Sequence, residues 1–197
     1  MKQILPILTL TTLAAAASAQ SAPAAAGLDY NCVGFSRSSQ DNNLSAQVLV
    51  GNSNVLVGIQ SNNVQSQANY QGLFGSVQFT LGYVFKNVVW ATDVVVTANQ
   101  STSYTSNYPS DRTVYGVTFR RQLNEVINGL EGSVGFTTTG SNATKSGFTV
   151  GGATNDAPSA WNTELAYNIN KNYQVAAGLV SFKGQDYQYV LSVRYNF

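Results

Sequence analysis

The chain has 197 residues, of which 44% are hydrophobic, 11% aromatic and only 10% charged. That length fits one domain or two, and the charged share lies far below the ~25% of ordinary soluble domains. Ser, Thr, Asn, Gln and Gly take the place of the missing charges, which excludes a collagen, a coiled coil and a charged disordered tail. Ten Lys and Arg stand against nine Asp and Glu, so the chain is no nucleic-acid binder of the usual basic kind. It has no His, the commonest general base and metal ligand.

Met1-Lys2 opens a short positive start, the stretch from Ile4 to Ala17 is apolar apart from its threonines, and Ala17-Ser18-Ala19 is a small-x-small cleavage site. This three-part pattern predicts a secretory signal peptide over residues 1–19, because the apolar run falls short of the ~20 residues needed to span a bilayer as a helix. Cleavage removes Lys2 and leaves balanced charges. Residues 20–27 read as a small-residue leader, and residues 28–197 as the folded domain. Cys32 is the sole cysteine, so an exported fold must stand without an internal disulfide. It reads as a small apolar wall residue.

From residue 28 onward the chain alternates with period two, the signature of strands whose successive side chains point to opposite faces. Residues 28–37, 44–51 and 55–61 are the first, weaker candidates. Leu73, Gly75, Val77, Phe79, Leu81, Tyr83 and Phe85 then share a face opposite Ser76, Gln78, Thr80 and Lys86. Val88, Trp90, Val94 and Val96 oppose Asp93 and Thr97. Tyr115, Val117 and Phe119 oppose Thr118 and Arg120, and Leu130, Val134 and Phe136 oppose Glu131, Ser133 and Thr137. A short segment follows at residues 148–152. Trp161, Thr163, Leu165, Tyr167 and Ile169 oppose Asn162, Glu164 and Asn168, and residues 173–182 alternate more weakly. The last segment is the clearest: Tyr187, Tyr189, Leu191, Val193, Tyr195 and Phe197 lie opposite Gln188, Val190, Ser192, Arg194 and Asn196. No helical period is sustained after residue 19.

Alternation alone suits a soluble sandwich as well as a membrane barrel. The polar face decides between them, because it carries small uncharged residues where a soluble sandwich shows many Lys and Glu. Small polar side chains fit the crowded interior of a narrow barrel, and the apolar face is aromatic toward the strand ends, as a lipid-facing band with aromatic girdles requires. The expected fold is all-β: a closed antiparallel up-and-down transmembrane β-barrel. The chain resembles the small bacterial outer-membrane β-barrel proteins, on its signal peptide, its ~10-residue alternating strands and its ending in Tyr195-Asn196-Phe197 with Tyr189 and Val193 on the same face. The resemblance implies a bacterial outer-membrane location amid outer-membrane lipid. It also implies that the barrel assembly machinery reads the terminal strand through Tyr189, Val193, Tyr195 and Phe197.

A bacterial single-chain barrel has an even number of strands, short periplasmic turns and longer outer loops. Ten strands follow if residues 148–152 belong to a long outer excursion at 139–160; eight follow if the 44–61 hairpin lies outside the wall. The ten-strand arrangement puts periplasmic turns at residues 52–54, Lys86-Asn87, 124–129 and 170–172, and outer loops at 62–72, 100–111 and 139–160. Phe85, Trp90, Phe119, Tyr167, Tyr173, Tyr195 and Phe197 then sort to the periplasmic rim, and Tyr115, Phe136, Trp161 and Tyr187 to the outer rim.

Residues able to carry chemistry are scarce. The enzymes of the resembled family use a His in the active site, and none is present. The nine acids are scattered, no phosphate-cradling loop has useful spacing, and no metal or cofactor is expected. One constellation stands out: Asp93, Arg120, Glu131, Glu164 and Arg194 all fall on the interior face. They read either as an ion-pair network that fills the barrel or as a selectivity ring in a narrow pore. Two functions follow. One is a non-enzymatic structural or surface-interaction barrel whose outer loops meet other envelope proteins. The other is a narrow channel for small solutes or ions. A soluble secreted β-sandwich binding module is the third reading.

Overall fold

A sheet that is apolar on its outside and set in lipid has no water to satisfy an open edge, so it must close on itself. The computed structural model of the protein describes residues 28–38, 41–64, 76–103, 112–139, 159–182 and 187–197. Ten strands run in chain order: β1 (Cys32–Ser38), β2 (Asp41–Leu49), β3 (Val55–Val64), β4 (Ser76–Val89), β5 (Thr92–Ser103), β6 (Arg112–Gln122), β7 (Leu130–Thr139), β8 (Ser159–Asn168), β9 (Tyr173–Phe182) and β10 (Gln188–Asn196). Each pairs antiparallel with its sequence neighbours, and β1 closes the barrel against β10, with Cys32 opposite Asn196 and Ser38 opposite Val190. The eight-strand alternative is excluded, since β2 and β3 are wall strands. Residues 1–27, where a signal peptide and a leader are expected from the sequence, lie outside the described residues, as does the 148–152 segment.

Outward residues form a continuous apolar band. Phe35, Leu44, Phe79, Leu81, Tyr115, Phe119, Trp161, Leu165, Tyr189, Leu191 and Val193 are exposed on it. Soluble monomers rarely expose large contiguous apolar patches; a bilayer covers surfaces of this kind. Aromatic pairs reinforce both rims: Tyr173 meets Tyr195 edge-on at 5.3 Å between centroids at one end, and Phe136 meets Trp161 at 4.8 Å toward the other.

One end of the barrel is made of short turns, at residues 50–54, 90–91, 123–129 and 169–172, together with residues 28–31 and Phe197. Gly51 and Gly129 hold positive φ in two of these turns, a conformation that costs glycine nothing sterically. The connections at the other end fall outside the described residues.

Several boundaries differ from the expectation. Lys86-Asn87 is not the turn: both lie within β4, and the chain reverses at Trp90-Ala91, with φ of 49° and 55°. Trp90 therefore belongs to no strand. The reason lies in the register and in a buried acceptor: Val89 pairs with Thr92 beyond a bulge after Phe85, and the Asn87 N–H donates to Asp93 Oδ1 at 2.9 Å. Residues 28–31 are not part of the first strand, which starts at Cys32. Tyr167 has the outward parity of Leu165 but is buried, because the turn at Gly129 lies against its ring. Parts of the expected outer loops are strand: 62–64 in β3, 100–103 in β5, Thr139 in β7 and Ser159-Ala160 in β8.

Candidate functional site: the barrel lumen

Strand parity decides what enters the lumen. On β5 to β8 and β10 the inward positions include Asp93, Thr97, Asn99, Thr118, Arg120, Glu131, Ser133, Asn162, Glu164, Ser192 and Arg194, which either line the interior cavity or lie buried beneath it. All five ionisable residues singled out from the sequence are here, and the structure links four of them, Arg120, Glu131, Glu164 and Arg194, through bridging amides near the turn end. Arg120 Nη2 donates to Glu131 Oε2 at 3.0 Å, a pair with side chains only 14% and 5% exposed. Glu131 Oε1 accepts from Asn168 Nδ2 at 3.1 Å, Asn168 Oδ1 accepts from Gln174 Nε2 at 3.0 Å, and Gln174 Oε1 accepts from Arg194 Nη1 at 3.0 Å. Arg194 Nη2 completes the relay by donating to Glu164 Oε2. Arg120, Glu131 and Arg194 thus each have a hydrogen bond beyond the ion pair, of the kind a buried pair needs to offset its desolvation.

Asp93 stands apart from this relay and joins two other elements. Its Oδ1 accepts from the Asn87 backbone, and its Oδ2 accepts from the Tyr30 hydroxyl at 2.7 Å. Tyr30 is almost fully buried; Arg120 lies over its ring at 4.6 Å from the centroid and donates from Nη1 to the Asp29 carbonyl at 3.2 Å. That stacking is a cation–π contact, strongest where water is excluded. Burial holds the Tyr30 phenol above its ordinary pKa, so it remains a proton donor. Beneath it, inward-facing Leu56, Val84 and Val95 form an apolar cluster with Tyr30, against which Leu28 and Leu49 pack. Residues 28–31 therefore enter the barrel mouth at the turn end and close it.

Above this floor the lumen holds a cavity of about 390 Å³. Its lining is chiefly hydroxyl and amide: Ser36, Ser45, Gln60, Thr80, Asn99 and Asn162 among others, with Tyr30 at the floor. Neutral hydrogen bonds order part of it: Thr80 Oγ1 donates to Asn99 Oδ1 at 2.7 Å, and Asn99 Nδ2 donates to Thr97 Oγ1 at 3.2 Å. Cys32, on the wall strand β1, faces the same space, buried and unbridged. The five ionisable side chains comprise two guanidiniums and three carboxylates, a net charge of −1.

Sequence reasoning missed Tyr30 and Gln174, and it placed Asn168 on the polar face without giving it a role. Each has the inward parity of its neighbours, and that signal was available, but parity alone does not tell which side chain spans the lumen. Of the residues expected to guide assembly, Tyr189, Val193, Tyr195 and Phe197 all lie exposed on the outer face.

No family model and no curated protein sequence matches the chain. Among solved structures it is similar to the KdgM porin in complex with disordered oligogalacturonate, at a TM-score of 0.52 and 9% identity, covering 84% of this chain and 99% of that one. It is similar also to the KdgM porin by itself, at 0.50 and 9% identity over 84% and 98%. At that identity the likeness is one of fold alone.

Proposed function

We propose that the protein is a non-enzymatic outer-membrane channel of narrow bore, passing small polar solutes that are uncharged or cationic. The observation that carries this reading is the cavity of about 390 Å³ lined mainly by Ser, Thr, Asn and Gln. Such a lining exchanges hydrogen bonds with a hydrated solute without trapping it. A barrel meant only as a scaffold gains more from filling its lumen with apolar side chains, as it does at the turn end. The channel therefore takes precedence over the structural role expected from the sequence, and the likeness to porins supports it.

The charge pattern sets the selectivity. Oligogalacturonate, the ligand named for one structural relative, is a polyanion. Here both lumen guanidiniums are engaged by glutamates, and the net charge of the set repels anions. Liposomes carrying the protein should swell faster than empty ones in a neutral pentose and distinctly more slowly in a uronic acid of similar size. Swelling no faster than empty liposomes, for the protein and for a Tyr30→Ala variant alike, overturns the channel reading. Faster entry of the uronate overturns the selectivity.

The exposed outer row Tyr189, Leu191, Val193, Tyr195 and Phe197 on β10 also supports a role as the strand handled by the outer-membrane assembly machinery, since an unpaired terminal strand is a natural handle for β-augmentation. Deleting Phe197 should lower the folded amount in cells much more than it lowers spontaneous folding into detergent; equal losses in both assays make Phe197 a girdle residue only. The outer loops proposed as contacts for envelope proteins lie largely outside the described residues.

A further inference from the structure

The groups that narrow the turn end fall into two kinds. Leu56, Val84 and Val95 are carried by β3, β4 and β5, and their backbones are rungs of the closed ladder. They cannot leave without breaking strand pairing. Residues 28–31 precede β1 and contribute no rung. They are fastened to the wall at Asn31, whose carbonyl accepts from the Phe197 N–H at 3.1 Å and whose Oδ1 accepts from the Leu49 N–H at 2.8 Å. Beyond that point the attachments are few: the Tyr30 hydroxyl on Asp93, Arg120 on the Tyr30 ring and the Asp29 carbonyl, and Leu28 against the apolar cluster.

We infer that residues 28–31 are a removable plug, hinged at Asn31 and latched by the Tyr30 hydroxyl on Asp93, whose withdrawal opens the lumen at the turn end. The inference deepens the channel reading and rests on it for its purpose. Both charged groups that hold the plug, Asp93 and Arg120, have second anchors on the wall. Asp93 keeps the Asn87 N–H on its other oxygen, and Arg120 keeps Glu131. Withdrawal therefore leaves neither charge without a partner, while it breaks contacts of the plug alone. Two arrangements that each satisfy the buried charges are what a switchable element needs. Tyr30 lines the cavity beside Leu56 and Val95, so its departure widens the lumen at the turn end past the wall-borne groups that stay.

The sole cysteine reports on this directly. Cys32 lines the cavity one residue beyond the hinge and is 6% exposed. In the folded, detergent-solubilised full chain its reaction with a small methanethiosulfonate should be slow. Tyr30→Phe deletes only the hydroxyl, and a hydrogen bond to a charged group is worth roughly a tenfold change in the closed-to-open ratio. The reaction should accelerate by that factor in Tyr30→Phe and further in Tyr30→Ala, while a bulky polymer maleimide stays slow and the unheated protein keeps its folded mobility in SDS. Unchanged reactivity in Tyr30→Ala overturns the plug. Loss of the folded form in Tyr30→Phe also overturns it, by making the hydroxyl a part of the wall's stability.

Liposome swelling separates the two readings. Faster Cys32 reaction with no swelling in any variant keeps the plug and removes the channel. Swelling that is equal in all variants, with Cys32 unchanged, keeps the channel and removes the plug.

Discussion

The two halves of the lumen share one wall and differ in what fills it. At the turn end, ion pairs, bridging amides and an apolar cluster bring buried side chains together. Toward the other end, hydroxyls and amides surround open space. Eight strands enclose an interior that side chains just fill, and ten enclose little more, so bore alone does not determine whether such a barrel is solid or hollow. Side-chain choice at inward positions does. Large or paired groups close the turn half, and Ser, Thr and Asn leave the other half open.

The largest expected effect lies in the closed half. Glu131 is 4% exposed and accepts from both Arg120 and Asn168. Glu131→Ala leaves a buried guanidinium without its counter-charge, and should cost about 3–5 kcal/mol, read as a lowered urea midpoint in detergent. A loss below about 1 kcal/mol would mean that water already reaches this belt, and the contrast between the halves would fail.

The open half should respond less. Thr80→Val deletes the hydroxyl that donates to Asn99, which keeps its bond to Thr97. A neutral hydrogen bond contributes about 1 kcal/mol net, and the same unfolding measurement should return that value. A loss as large as that of Glu131→Ala would make the polar lining a structural network and not a solvated surface.

The Arg194–Glu164 pair tests where the boundary falls. Both side chains are 26% exposed, so water screens them more than it does Arg120 and Glu131. A double-mutant cycle with Arg194→Met and Glu164→Gln should give a coupling of about 1 kcal/mol or less. A coupling matching the cost at Glu131 would move the boundary of the dry region up the barrel to Glu164.

The smallest effect has the opposite sign. Trp90 and Ala91 hold φ of 49° and 55°, and both central residues of a two-residue hairpin turn with positive φ normally call for Asn or Gly. Ala91→Gly should stabilise the barrel by a few tenths of a kcal/mol, the relief of strain being partly offset by the entropy of glycine in the unfolded chain. A destabilised variant would show that the turn conformation is imposed by contacts of Ala91 itself.

That turn also shows where the sequence was legible and where it was not. Period-two alternation separates outside from inside on every strand from β4 onward, because a lipid-facing wall and a polar lumen place opposite demands on successive residues. It identified the inward ionic set for the same reason. Turn position is a weaker signal. Lys86-Asn87 looks like a turn and Val88-Val89-Trp90 like a strand, yet the chain reverses at Trp90-Ala91, where the Asp93 carboxylate captures the Asn87 N–H from across the hairpin. Tyr30 was missed on similar grounds: a residue just before a strand reads as part of it, and only the distant Asp93 and Arg120 draw it inward. Local pattern fixes faces, whereas distant partners, Asp93 at 63 residues away and Arg120 over the ring, fix what the Tyr30 side chain does.

The seam between β1 and β10 has a consequence for how the barrel forms. Every other strand pairing joins sequence neighbours and can grow as a local hairpin, whereas the seven rungs from Cys32–Asn196 to Ser38–Val190 join the two ends of the domain. Bringing such distant segments together costs loop-closure entropy before any rung repays it, and pairing of this kind is slow relative to hairpin formation. The seam is then the pairing expected to form last, and the bonds of Asn31 to Leu49 and Phe197 tie the seating of residues 28–31 to its closure.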